Sequence, residues 1–189
     1  MEKGLAANEN ESGTIMRSFY MKMIIAALVM VNVLMLAGCG GGGGGTATIS
    51  KPSTAVITLS SQGVLPAGKA LSGFIVTIEL PAGVTAKTGT NGAVEATVVV
   101  PSGLLAGGEG TMGPVIYTPA TAGVRAKINF TMASMSATGV GTGEYATITL
   151  SLSDVAPAVN DFTIISFTPV DMSYAHISGL TPRLNVSLF

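Results

Sequence analysis

The chain has 189 residues, of which 10% are charged, and its ten acidic and nine basic side chains leave a net charge of −1 at pH 7. A balance this close to neutral excludes the basic surface that nucleic-acid binding requires. The single cysteine excludes a disulfide within one chain.

The first 38 residues comprise a polar extension followed by a segment typical of an export signal. A short basic region precedes an apolar run from Met23 to Leu36, and small residues follow the run. As a helix the run would span about 21 Å at about 1.5 Å per residue, less than a hydrocarbon core of about 30 Å, so a cleaved signal is favoured over a transmembrane anchor. Residues 1–15 are acidic where a signal is basic, which favours Met16 or Met21 as the true start, with a disordered extension as the alternative.

The four residues Leu36, Ala37, Gly38 and Cys39 resemble the lipobox of bacterial lipoproteins. The resemblance implies that Cys39 receives a diacylglycerol group, that the signal is cut before it, and that the new amino terminus is acylated. Two or three acyl chains anchor a protein stably, whereas one binds a bilayer only marginally. Gly40 after the cysteine implies an extracytoplasmic, outer-membrane location on the periplasmic or the surface face. The alternative is that Cys39 is an incidental apolar residue of a hydrophobic helix.

Residues 39–45 contain the predicted lipidated cysteine and the glycine run Gly40 to Gly45. Such a run predicts a flexible tether with a reach of about 13 Å by random-coil scaling. The remaining residues, 46–189, have the usual size of one domain with its own core. The expected organisation is therefore a signal, a short tether and a single domain.

Apolar and polar residues alternate with period two along much of this domain, which predicts an all-β fold. The pattern is clearest in three segments, and five further strands are predicted with a weaker pattern: 74–80, 125–132 and 145–152, then 54–60, 93–100, 114–118, 162–168 and 183–189. Each strand has one apolar face to bury, and two sheets packed face to face are the usual solution. The prediction is a single antiparallel β-sandwich, with a closed barrel as the alternative.

Three segments resemble cohesin domains and the related sandwich fold of carbohydrate-binding modules. They are Leu71–Ile78, Leu80–Val84 and Gly143–Leu150, and the likeness extends over about residues 54–153. The family implies non-catalytic recognition, either of a docking module on a partner protein or of a polysaccharide. The Asp-rich segment that many relatives have after the second strand is absent from this chain.

Strict alternation places Tyr145, Thr147 and Thr149 on one face of a strand. Sugar rings stack on exposed aromatic side chains, and hydroxyl groups can bind the sugar's own hydroxyls. These three residues are therefore the predicted binding face. The alternative is an ordinary solvated strand face with Tyr145 at the edge of the core.

The parts of a catalytic site are missing from the sequence pattern. His176 is the only histidine, and no Gly-Xaa-Ser-Xaa-Gly motif presents a serine. Asp154, Asp161 and Asp171 flank a predicted strand, but their spacing matches no calcium loop. We therefore predict no catalytic residue, no metal site and no cofactor, and a hydrolase with scattered carboxylates remains the weakest alternative.

The favoured function is a membrane-anchored, extracytoplasmic recognition module of cohesin-like type that binds polysaccharide or a partner protein and contacts the membrane through Cys39. The alternative is a structural or adhesive surface lipoprotein that self-associates through a strand edge. The apolar residues Leu184, Val186, Leu188 and Phe189 suggest that alternative, because an unpaired edge can bind another strand.

Overall fold

The computed structural model describes residues 51–153 and 156–189. The predicted signal peptide, the lipobox residues Leu36, Ala37, Gly38 and Cys39, the glycine tether and Asp154 lie outside the described residues. Within the described ranges the chain is all-β, with two antiparallel sheets and no α-helix. Accordingly, no helix in this part of the chain is long and apolar enough to span a bilayer.

Ten strands make up the two sheets of the described domain. In chain order they are β1 (Thr54–Gly63), β2 (Gly73–Glu79), β3 (Val84–Thr85), β4 (Val99–Pro101), β5 (Gly110–Met112), β6 (Ile116–Thr118), β7 (Lys127–Ser134), β8 (Glu144–Leu152), β9 (Thr163–Val170) and β10 (Leu180–Leu188). Short 3₁₀ turns occupy Gly103–Leu105 and Val159–Asp161.

Sheet 1 has the strand order β10-β1-β8-β3, with β4 also paired to β8. Sheet 2 has the order β5-β7-β2-β9, with β6 also paired to β7. The sheets are separate and not closed into one, so the architecture resembles the predicted sandwich and not the alternative barrel. Both sheets contribute apolar side chains to one core. The buried members of this core are distributed along the sequence from Ala55 to Val186.

Alternation along β2 and β7 decides which side chains reach this core. Phe74, Val76 and Ile78 of β2 are buried, as are Ile128 and Phe130 of β7. The polar residues between them point to the outside because successive side chains of a strand face opposite ways. The sequence prediction for these two strands is confirmed.

The predicted strand 93–100 is wrong over most of its length, since only Val99–Pro101 is a strand. The amide of Val98 donates to the carbonyl of Glu95, and the amide of Gly89 donates to that of Ala93. The chain thus reverses twice in a region where the sequence alternates. Turns that close their own hydrogen bonds leave fewer main-chain groups for a sheet.

Four connections meet at one end of the two sheets, which we call the loop end. They are residues 64–72, 102–109, 135–143 and 171–179, which follow β1, β4, β7 and β9. The opposite end holds both Lys51 and Phe189. There the amide of Phe189 donates to the carbonyl of Thr54 over 2.8 Å. The chain therefore enters the described domain at the end remote from these four connections.

Candidate functional site: the loop end

The prediction that Tyr145 lies on an exposed binding face is wrong. Tyr145 is fully buried, whereas Thr147 is half-buried and Thr149 is exposed on the outside of sheet 1. The structure therefore separates the aromatic residue from the two threonines that were expected to share its face. Thr147 pairs with Thr58 on one side and Val100 on the other, and Thr149 pairs with Val56, so this face is a mixture of small polar and apolar side chains.

A β-bulge explains the reversed direction of Tyr145. Leu59 pairs with Ala146, and the next residue, Ser60, pairs with Glu144. Tyr145 is thus an extra residue in β8, opposite no residue of β1. An inserted residue shifts the alternation of the strand, so that Tyr145 and Ala146 both face the core.

The buried phenol of Tyr145 makes hydrogen bonds and a ring contact inside the core. Its oxygen lies 2.7 Å from the hydroxyl oxygen of Ser61, and it donates to the carbonyl of Gly141 over 2.8 Å. Its ring centroid lies 5.3 Å from that of Phe74. Burial raises the pKa of Tyr145, and the hydrogen bond with Ser61 opposes that rise. These contacts join β8 to β1 and to the loop before it, which is the work of a core residue and not of a binding residue.

The four connections of the loop end contact one another in series. Leu71 and Val140 exchange main-chain hydrogen bonds of 2.9 and 2.8 Å, which join segments 64–72 and 135–143. The amide of Met135 donates to the carbonyl of Glu109, so segment 135–143 also contacts 102–109. Main-chain hydrogen bonds of this kind fix loops relative to the sheets.

Asp171 organises the fourth connection, 171–179. One carboxylate oxygen accepts hydrogen bonds from the amides of Ser173 (2.8 Å) and Ala175 (3.0 Å). The other oxygen accepts from the ammonium group of Lys69, in segment 64–72. The hydrogen bond from Lys69 lowers the pKa of Asp171, burial opposes this, and the two amides lower it further. A nearly buried, ionised carboxylate therefore connects two loops and closes one of them.

The turn that Asp171 closes holds Tyr174 in an unusual backbone conformation. Its φ is 61°, the only positive φ of a non-glycine residue in the described ranges. The amide of Tyr174 donates to the carbonyl of Asp171 over 2.9 Å, and the side chain is 85% exposed. A left-handed conformation costs about 1–2 kcal/mol outside glycine, and such residues are found where the surroundings hold them, often at functional sites.

Tyr174 is one of several large apolar side chains exposed at the loop end. Val64, Leu104 and Met135 lie on the other three connections, and Met172 lies on the same connection as Tyr174. Val64 is 85% exposed and Met135 is 66% exposed. Loops positioned by a rigid scaffold often carry binding residues, and exposed apolar patches mark interaction sites.

The candidate catalytic and metal-binding residues do not come together. His176 is exposed and follows the turn, but the carboxylate of Asp171 is already engaged by Lys69 and two amides. Asp161 accepts from the amide of Ala158 at the other end of β9. The described residues contain no group of three or more His, Cys, Asp or Glu side chains that could hold a metal ion.

Comparison of the chain with protein-family models, curated proteins and solved structures finds no match in any of the three. The candidate site is therefore defined by its own geometry. Its one sequence signal is Asp171 two residues before Ser173, since an aspartate often accepts from the amide two residues on in a turn. That signal predicts a turn, and it does not predict that Tyr174 is presented at its tip.

Proposed function

We propose that this protein is a non-catalytic, membrane-anchored, extracytoplasmic recognition module that binds a partner protein through the loop end. The observation that carries the proposal is Tyr174, which is 85% exposed on a turn closed by Asp171. The hydrogen bonds of Asp171 hold the backbone of this turn before binding, so the backbone loses little conformational freedom when a partner arrives. Tyrosine is also a frequent hot spot of protein interfaces.

The composition of the loop end favours a protein over a sugar as the ligand. Protein interfaces are enriched in aromatic residues and methionine and depleted of charge at their centre. Met135 and Met172 are exposed on two different connections of the loop end. The charge of Lys69 is paired with that of Asp171. Recognition of polysaccharide needs several planar polar groups around the aromatic ring, and among the sequence neighbours of Tyr174 from 172 to 176 only His176 is planar and polar.

The course of the chain fixes which end of the domain follows the lipid anchor proposed at Cys39. Lys51 lies at the end of the domain opposite the four connections, and β1 leads from there to the loop end. At about 3.3 Å per residue, β1 alone separates the two ends by about 30 Å. The loop end is therefore the end of the described domain remote from the point at which the chain enters it. The cohesin-like type of residues 54–153 is part of the proposal and rests on the resemblance in sequence; the two-sheet architecture is compatible with it.

The proposal is tested by capture followed by direct binding. Soluble residues 46–189 contain every strand and the whole core that the structure describes, so they serve as bait against the detergent-solubilised envelope and the culture supernatant of the producing cell. Each captured protein is purified, and its affinity is measured for the wild type and for a Tyr174→Ser, Met135→Ser double variant. We expect the double variant to lose affinity by about 30-fold or more, as hot-spot residues do.

The matched control is a double variant with Ile116→Ser and Val100→Ser, both exposed apolar residues on strands. It should bind as the wild type does. Equal affinity of the loop variant and the wild type, or equal losses in both variants, would overturn the proposal. A glycan array run in parallel gives the other outcome, since a polysaccharide that binds through Tyr174 would replace the protein partner. Silence in both assays would also contradict a recognition role.

A further inference from the structure

β10 is a sheet edge with open main-chain groups. It pairs with β1 alone, from Leu180 opposite Gly63 to Leu188 opposite Ala55. The mutual hydrogen bonds of Phe189 and Thr54 set the phase of this ladder. Successive residues of an antiparallel strand direct their N–H and C=O groups to opposite sides. Since Phe189 bonds to β1, the main-chain groups of Leu184, Val186 and Leu188 point away from β1. Within the described residues, these groups have no hydrogen-bond partner.

The other three sheet edges carry features that discourage pairing over most of their length, whereas β10 has such features only near its start, at Pro182 and Arg183. β3 has two residues and β4 has three on the far edge of sheet 1, while β5 and β6 have three each. Very short edge strands and bulges are common protections against edge-to-edge association. β9 has a bulge, since Thr77 pairs with Ser166 and Ile78 with Ile164, which leaves Ile165 as an extra residue. By contrast, β10 is nine residues long and has no shift of register.

We propose that β10 pairs antiparallel with β10 of a second copy of this chain, about a two-fold axis at Val186. In this register Val186 pairs with its equivalent, and Leu184 pairs with Leu188 of the second copy. About six main-chain hydrogen bonds form between the two strands. A two-fold pairing of identical surfaces is the commonest arrangement in homodimers.

The outward side chains of β10 are complementary in this register. Arg183 comes opposite Phe189 of the second copy, and Asn185 comes opposite Ser187. Opposite residues have Cβ atoms about 4.5–5.5 Å apart, which places the guanidinium group within reach of the ring for a cation–π contact. Phe189 is 69% exposed in the single chain, and Arg183 is among the exposed residues. No like charges meet.

Pro182 lies outside the paired segment in this register. A two-fold axis at Leu184 would instead place Pro182, which has no amide hydrogen to donate, opposite Val186 of the second copy, and Arg183 opposite Asn185. The register about Val186 is the one that brings Arg183 to Phe189, and the mixing experiment below distinguishes the two.

An antiparallel pair places the two Lys51 entry points at opposite ends of the paired strands, because the two β10 strands run in opposite directions. The pairing depends only on β10 and not on the proposed lipid anchor.

The test is sedimentation of residues 46–189 across a concentration series from micromolar to millimolar. We expect the wild type to associate reversibly into a dimer. An Asn185→Lys, Ser187→Lys variant places lysines opposite one another in the pair and should weaken association at least tenfold, since like charges directly opposite destabilise a sheet. The matched control, Thr149→Lys with Ser151→Lys, adds the same charges to exposed positions of the central strand β8 and should associate as the wild type does.

A mixing experiment tests the register itself. An Asn185→Asp, Ser187→Asp variant should not associate alone, and mixing it with the lysine variant should restore the dimer through opposite charges. A wild type that stays monomeric at all concentrations, a lysine variant that still dimerises, or a mixture that does not would overturn the proposal. The Tyr174→Ser, Met135→Ser variant should dimerise normally, so failure of the loop-end proposal and failure of this one are distinguishable.

Discussion

The phenolic oxygen of Tyr145 lies 2.7 Å from the hydroxyl oxygen of Ser61, and both residues are buried between the sheets. The same phenol donates to the carbonyl of Gly141. One tyrosine therefore satisfies a buried hydroxyl of β1 and a carbonyl of the preceding loop. A buried group that loses its partner keeps the cost of its desolvation.

We expect Tyr145→Phe to lower the free energy of unfolding by about 1–3 kcal/mol, because the ring stays while Ser61 and Gly141 lose a partner. Urea denaturation of residues 46–189 measures this. Ser61→Ala in the Tyr145→Phe background should cost little more, since the orphaned hydroxyl is then gone. Strictly additive losses in this double-mutant cycle would show that the two hydroxyl groups do not interact.

Alkaline pH should destabilise the domain through the same residue. Burial raises the pKa of Tyr145 above its ordinary value of 10.0, so the unfolded chain loses this proton first as the pH rises. The stabilisation is complete below that ordinary value and is lost as the pH climbs from it through the raised value. Tyr145→Phe should reduce the alkaline slope of stability. Some slope should remain, because burial also raises the pKa of Tyr117.

Acid should loosen the turn that presents Tyr174. The pKa of Asp171 is held below its ordinary value of 3.8, first by the hydrogen bond from Lys69. A lowered pKa means that the stabilisation is present above the ordinary value and is lost as the pH falls through the lowered one. Thermal unfolding from about pH 6 to about pH 2 should show a smaller acid-dependent loss in Asp171→Asn. The same loss in both proteins would contradict the role given to this carboxylate.

Gly63 should tolerate alanine much less than Gly68 does, although both have positive φ. A Cβ at Gly63 would lie 2.2 Å from the carbonyl oxygen of Gly179, while a Cβ at Gly68 would meet nothing within 4 Å. Gly68→Ala then carries only the backbone strain of about 1–2 kcal/mol. Gly63→Ala adds a main-chain clash and should cost clearly more. Thermal unfolding of the two variants compares them directly, and equal losses would show that the strands separate freely at that point.

Cys39→Ser tests the lipid anchor that the sequence predicts. Cells expressing the full chain are fed a radiolabelled fatty acid, and the protein is then isolated from the membrane and soluble fractions. The wild type should carry the label and sediment with membranes, because several acyl chains anchor stably. The serine variant should carry none and appear in the soluble fraction. Label on the variant, or an unlabelled wild type, would contradict lipidation of this residue.

The two central strands of sheet 2 show how far a local pattern can be trusted. Alternation in β2 and β7 predicts their buried faces correctly, because each strand keeps one residue opposite one residue of its partner. The same reasoning fails for Tyr145 because the bulge in β8 depends on β1, which lies far away in sequence. It fails again at 93–98, where turns closed by Glu95 and Gly89 interrupt an alternating segment.

The sequence by itself determined the class of the fold, most of the strands and the sparse charge of the surface, because these depend on composition and on a period of two. It also determined the predicted lipid site, which is a short linear motif ending at Cys39. Only the tertiary structure decided that Tyr145 is buried, that Asp171 and Lys69 meet across 102 positions of sequence, and that Tyr174 is presented with positive φ. Each of these depends on which strands and loops become neighbours. Contacts between residues far apart in sequence select those neighbours, and no local sequence pattern predicts such contacts.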